Sequence, residues 1–166
     1  MAARFPPDDA GGMNIAHESL RRGRVSTPGQ VYLVTFTTYQ RRRLFWDFVV
    51  AAAACRCISD ALPNHRARLL AWVLMPDHWH GLVELGDLPL GTCVQRLKGT
   101  SARRLRREFP RLDRIWAPAF HDRALRRHEE VRAAARYLVA NPLRAGLVTN
   151  VRDYPFWDAV WLEPNP

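Results

Sequence analysis

The sequence predicts an α+β fold: a ferredoxin-like antiparallel sheet with helices on one side and a C-terminal helix that bears a tyrosine. Three observations lead there. Segments with strand and helix patterns follow one another as strand–helix–strand–strand–helix–strand–helix, the split βαβ arrangement plus one terminal helix. Only Pro76-Asp77 separates the second strand from the third, a connection short enough to imply antiparallel pairing. The 166 residues, 48% hydrophobic and 10% aromatic, suit a single domain that buries a core without disulfide staples.

Each element has its own justification. Residues 1–22, with Pro6-Pro7 and Gly11-Gly12, read as a flexible leader, and a basic arm through Arg24 ends in a Pro28-Gly29 turn. The domain is placed at 23–150, followed by a tail, 151–166, that packs back through Tyr154, Phe156, Trp157 and Trp161. VYLVTFTTY (31–39) is rich in β-branched and aromatic residues and reads as a buried strand, followed by the basic loop Arg41-Arg42-Arg43. Phe45 to about Leu62 is Ala-rich with helical apolar spacing, and Pro63-Asn64 ends it. RARLLAWVLMP (66–76) and HWHGLVEL (78–85) are the second and third strands. From Leu90 to Phe109 a helix places Val94, Leu97, Ser101 and Leu105 on one side, and Pro110 closes it. Residues 114–125 read as a short, broken strand region. Glu129 to Ala140 forms the last helix, ended by Asn141-Pro142, because the residue before proline avoids the α region.

Charge narrows the function class. The chain has 25 basic and 16 acidic residues, a net +9, and Lys98 is its sole lysine. Arginine richness alone can reflect base composition, but the distribution is uneven. Residues 96–144 hold fourteen basic against five acidic side chains, which is the entire excess. A segregated basic stretch in a compact domain is the footprint of a polyanion binder. Nucleic acid is favoured over a membrane surface, because no segment joins this charge to a wide apolar face. No apolar run approaches the roughly 18 residues of a membrane-spanning helix, and the N-terminus lacks the apolar core of a secretory signal. Cys55, Cys57 and Cys93 read as reduced, partly buried thiols; on a helix, C-x-C points its two thiols apart.

Two constellations carry chemistry. In a strand, i and i+2 face the same way, so His78 and His80 project together with Trp79 behind them. Paired imidazoles form a metal half-site, although two polar residues facing solvent give the same pattern. Tyr137 and Asn141, at i and i+4, share a helix face and can address one point. Each also has a plain alternative, a core or boundary tyrosine and a helix-ending asparagine. If the two pieces meet, a metal on the histidines polarises a phosphate and Tyr137 attacks it. His121 and Asp122 are candidates to approach from the fourth strand or to form a structural pair. Trp79 and Trp116 read as core, and His17, His65 and His128 as surface residues.

MPDHWHGLVEL (75–85) resembles the H-hydrophobic-H strand of single-tyrosine HUH endonucleases. YLVANPLRAGLV (137–148) is similar to the tyrosine helix of the REP-associated tyrosine transposases, within the IS200-like superfamily. GRVSTPGQVYLVTFTTYQRRRLF (23–45), VQRLKGTSARRLRR (94–107) and IWAPAFHDRALR (115–126) fit the family's other blocks, so the resemblance spans residues 23–155. It implies the HUH endonuclease fold and an enzyme that nicks and rejoins single-stranded DNA beside hairpin-forming, REP-like palindromes, through a 5′-phosphotyrosine. By that likeness Tyr137 is the nucleophile, and His78, His80 and Asn141 are ligands of Mg2+ or Mn2+, with Glu130 as an alternative third ligand. Asp77 stands where relatives often have Asn. The expected DNA contacts are Arg41, Arg42, Arg43, Lys98, Arg103, Arg104, Arg107 and Arg144. The expected setting is a monomer or homodimer in the cytoplasm, associated with the nucleoid and not with membrane. The rival readings are a hairpin-DNA binder derived from a transposase and, more distantly, a zinc hydrolase of small substrates.

Overall fold

The computed structural model describes residues 27–62, 66–126 and 128–162. The N-terminal leader, the basic arm at 21–24 and the Pro63-Asn64 stop lie outside the described residues.

Strands β1 (Val31–Thr37), β2 (Ala67–Met75), β3 (His78–Leu85), β4 (His121–Leu125) and β5 (Trp157–Ala159) form one antiparallel sheet in the order β4-β1-β3-β2-β5. The first four in that order reproduce the split βαβ arrangement expected from the sequence. The two-residue turn Pro76-Asp77 joins β2 to β3 as anticipated. Strand β5 is an addition. Three residues carry too little periodicity to announce a strand, and it forms because β2 has an open edge, pairing Val73 with Trp157 and Ala71 with Ala159.

Register decides which side chains share a face. Phe36 pairs with Trp79 and Thr35 with His80, so the aromatic pair points to one side and the threonine and histidines to the other. On the aromatic side the Trp79 ring stacks on Phe36 at 4.8 Å and 20°, both fully buried. Gly81 makes this possible: a Cβ there would lie 2.0 Å from the Trp79 ring, which therefore crosses the strand where a side chain is missing.

Two helices cover the aromatic side. Helix α1 (Phe48–Ser59) starts later than the apolar spacing suggests, because the Asp47 carboxylate accepts from the Val49 and Val50 N–H groups at 3.0 and 3.2 Å and caps it. Phe45 sits before the cap, buried in a short 3-10 turn. Helix α2 (Leu90–Glu108) buries Val94, Leu97, Ser101 and Leu105, the stripe expected from its sequence. Trp116 ties α2 to the sheet, meeting Phe36 edge-on at 4.7 Å and donating its indole N–H to Ser101 Oγ at 2.9 Å.

Helix α3 (His128–Val139) lies across the opposite, histidine-bearing side, contacting β2, β3 and β5. It buries Val131, Ala134, Ala135 and Leu138 at the i, i+3, i+4, i+7 spacing of one face. A short helix α4 (Asn141–Arg144) continues it with Pro142 in its first turn, where the missing N–H costs nothing. Tyr154, buried, donates to the Leu74 carbonyl at 2.7 Å and anchors the segment that leads to β5. Among the described residues no helix is long and apolar enough to cross a membrane.

Candidate active site

The histidines are held from behind. His78 Nδ1 and Asp77 Oδ1 are 2.5 Å apart, and His80 Nδ1 and Thr35 Oγ1 are 2.6 Å apart. With both Nδ1 atoms engaged, each ring keeps Nε2 for another partner, the arrangement that orients metal-binding imidazoles. The rings meet edge to face, with centres 4.5 Å apart. Enclosure of the His80 ring, with the positive influence of His78, Arg41 and Arg144, pushes it down to about 3, so it is a neutral imidazole at physiological pH. Burial acts to raise the Asp77 carboxyl, but its hydrogen bond to His78 and the charges of His78 and Arg41 hold it below the usual range.

The turn that carries Asp77 is itself clamped. Thr38, fully buried, takes the Asp77 carbonyl through both its backbone N–H (2.8 Å) and its hydroxyl (3.0 Å). Phe45 N–H donates to the Pro76 carbonyl at 3.0 Å, and Arg41 reaches Asp77 Oδ2 at 3.4 Å. The end of β1, the basic loop and the histidine hairpin are thus one unit.

Helix α3 brings the tyrosine. Tyr137 is partly buried, and the Arg144 guanidinium lies 3.5 Å from the centre of its ring. Arg144 also acts on the charge of His80, and helix α3, which carries Tyr137, packs on β3, the strand of the histidines. Asn141, four residues after Tyr137, opens the next short helix, and its Nδ2 is buried without a hydrogen-bond partner. An orphaned amide is costly. Turning it by 180° brings Oδ1 to that position, where a cation would satisfy it. Two imidazole nitrogens and one amide oxygen are donor types that suit a divalent metal. Among the described residues no three His, Cys, Asp or Glu side chains cluster as a metal site. Glu130 is engaged elsewhere, its carboxylate accepting from the Arg126 N–H at 3.1 Å where β4 passes into α3.

The remaining expected residues divide by face. His121 stands in register with Thr35, which in turn faces His80, so it belongs to the histidine side, whereas Asp122 alternates to the other. Lys98, Arg103, Arg104 and Arg107 are on α2, behind the sheet from the histidines. The Lys98 ammonium donates to the carbonyls of Ala117, Pro118 and Ala119 at 2.5, 2.9 and 3.2 Å, and Arg104 pairs with Asp60 at 3.1 Å. Arg103 and Arg107 are exposed. Arg42 donates to the Arg114 carbonyl, and Arg43 lies 4.1 Å over the Trp46 ring. The sequence did not reveal Thr35 or Thr38, whose roles depend on strand register, and Pro76-Asp77 read only as a turn, with no role for Asp77 behind His78.

The split βαβ sheet thus carries two histidines on its middle strand, and the helix that bears Tyr137 packs on that strand. Residues 27–138 match the transposase IS200-like family, and the chain belongs to that family. It is 31% identical over 91 residues to the REP-associated tyrosine transposase of Escherichia coli strain K12, a match covering 52% of this chain and 50% of that relative. The match thus spans about half the length of the curated relative. Among solved structures, a REP-associated tyrosine transposase bound to a REP hairpin superposes with a TM-score of 0.62 at 25% identity, covering 81% of this chain and 79% of the other. A candidate transposase from Deinococcus radiodurans R1 gives 0.54 at 27% identity, covering 72% and 95%.

Proposed function

We propose that this chain is a metal-dependent endonuclease and strand transferase acting on single-stranded DNA beside a hairpin, with Tyr137 forming a covalent 5′-phosphotyrosine link. The observation that carries the reading is that the helix bearing Tyr137, whose ring stacks on Arg144, packs on the strand that carries the His78–His80 pair. The likeness to a relative bound to a REP hairpin supports hairpin DNA as the substrate class.

His78 and His80 would hold the divalent cation, Mg2+ or Mn2+, with Asn141 as the third protein ligand. Bound there, it would polarise the scissile phosphate. The chain's own residues account for the rest. Tyr137 Oη attacks phosphorus; the tyrosyl O–P bond forms as the P–O3′ bond breaks. The phenol gives up its proton to water and the departing 3′ oxygen takes one up. The number of phosphoester bonds is unchanged, so a 3′-hydroxyl can reverse the step and rejoin strands without a nucleotide cofactor. Arg144, stacked on the phenol, holds the ring and sets a positive charge beside the phosphate. Asp77 and Thr35 keep the imidazoles turned outward.

The test is the covalent adduct on a hairpin oligonucleotide with an unpaired flank. Wild type with manganese is expected to form it, and Tyr137→Phe to bind the DNA without forming it. Adduct or nicking that survives Tyr137→Phe removes this residue from the chemistry. Retarded but intact DNA with the wild type would favour a non-catalytic hairpin binder.

A further inference from the structure

Three of the five large hydrophobic side chains exposed among the described residues fall in one short segment: Trp46 (63%), Phe48 (63%) and Val49 (61%). A soluble domain rarely leaves such a group together unless the patch meets something. Its surroundings are basic and aromatic in alternation. The Arg43 guanidinium lies 4.1 Å over the Trp46 ring and so covers one face of the indole. Arg114 lies 4.9 Å over the Tyr39 ring and donates to its hydroxyl at 3.1 Å.

The segment is also strained and tethered. Gln40 and Arg41 both take left-handed backbone conformations, with φ of 55° and 54°, which non-glycine residues seldom adopt in succession. Thr38 and Phe45 bind the segment to the turn before His78 through the Asp77 and Pro76 carbonyls. Trp46 lines a pocket of about 180 Å³ together with Pro76, two residues before His78, and Leu147, three residues after Arg144. It therefore touches the turn that leads into the histidine strand and the segment that follows Arg144.

We propose that Trp46, backed by Arg43, is a stacking platform for an unpaired nucleobase in the single-stranded DNA that flanks the scissile phosphate. The inference rests on the DNA-processing reading above and names what would position the strand there. An indole with one face on a guanidinium and the other open takes a base by stacking, while the neighbouring arginines take the backbone phosphates. Stacking of this kind tolerates any base, so the platform holds the flank in place and leaves the choice of hairpin to other contacts.

The experiment compares Trp46→Ala and Trp46→Phe with wild type by fluorescence anisotropy, on a hairpin with an unpaired flank and on the same hairpin cut flush. Removing one base–aromatic stack corresponds to roughly a five- to hundredfold change in affinity. Trp46→Ala is expected to lose that much on the flanked hairpin, nothing on the flush one, and Trp46→Phe to recover most of the loss. A 2-aminopurine in the flank should be quenched on binding wild type and not on binding Trp46→Ala. Equal affinity and equal quenching in wild type and Trp46→Ala would overturn the platform while leaving the DNA-processing reading intact. Wild type that binds neither hairpin would overturn both.

Discussion

Arg144 stacks on Tyr137, its guanidinium carbon 3.5 Å from the ring centre, although the two residues are seven apart and belong to different helices. The contact exists because α4 follows α3 after a single residue, the Arg144 N–H donating to the Ala140 carbonyl at 3.1 Å across the junction. It holds the phenol ring by its face.

Arg144→Ala should therefore slow covalent adduct formation by about tenfold or more, the scale of a lost cation–π contact and a lost phosphate-facing charge. Arg144→Lys should fall between, because an ammonium keeps the charge and loses the planar stack. Single-turnover rates on a hairpin oligonucleotide measure this; a wild-type rate in Arg144→Ala would make the contact merely structural.

The carboxylate behind His78 predicts a graded effect on metal affinity. Asp77→Ala removes the acceptor at Nδ1 and should weaken Mn2+ binding about 10- to 100-fold by titration calorimetry. Asp77→Asn keeps an amide oxygen for the same hydrogen bond and should retain most of the affinity. It weakens the contact to Arg41 instead. Equal affinity in all three proteins would show that the imidazoles need no orienting group.

Lys98 separates a structural cation from a phosphate-binding one. Its ammonium is held by three consecutive carbonyls of the segment that precedes β4. Lys98→Met should lower the melting temperature, by about 1–3 kcal/mol of stability for carbonyls left short of donors. The salt dependence of DNA binding should stay as in wild type, whereas losing a phosphate contact would reduce the logarithmic slope by about one. A reduced slope would return Lys98 to the DNA interface.

Alkaline pH should expose the buried thiols. Burial pushes Cys55 from 9.0 up to about 12, the charge of Arg56 opposing it weakly, and it raises Cys57 and Cys93 as well. A folded pKa above the unfolded one means the unfolded chain releases its proton first as pH rises. The stability associated with Cys55 is thus intact below pH 9 and is lost progressively between pH 9 and about 12. Melting temperatures across that window should fall faster in wild type than in Cys55→Ala. Parallel curves would assign the alkaline loss to other groups.

Much of this protein is legible along the chain. Alternating β-branched and aromatic residues give β1, and the stripe Val94–Leu97–Ser101–Leu105 gives α2. Asn141-Pro142, expected to stop the helix, instead opens α4 after α3 ends at Val139, since Pro142 needs no N–H in a first turn. His78 and His80 share a face because a strand repeats every two residues, and the four-residue spacing of Tyr137 and Asn141 sets them about one helical turn apart in sequence. These are local periodicities, and local geometry is what a sequence encodes most directly.

What joins the two pairs is not local. Thr35 reaches His80 only through the register of β1 on β3, and Arg144 meets Tyr137 only because α4 prolongs α3. The net charge shows the same division. The +9 of residues 96–144 looks like one basic surface when read linearly, yet α2 carries Lys98, Arg103, Arg104 and Arg107 behind the sheet, and Arg144 lies in front with the histidines. A stretch of chain that crosses from one side of a sheet to the other keeps its composition and divides its charge. Sequence fixes which residues are basic and which can pair along one element; the packing of elements on opposite faces of one sheet decides which of them stand beside the tyrosine.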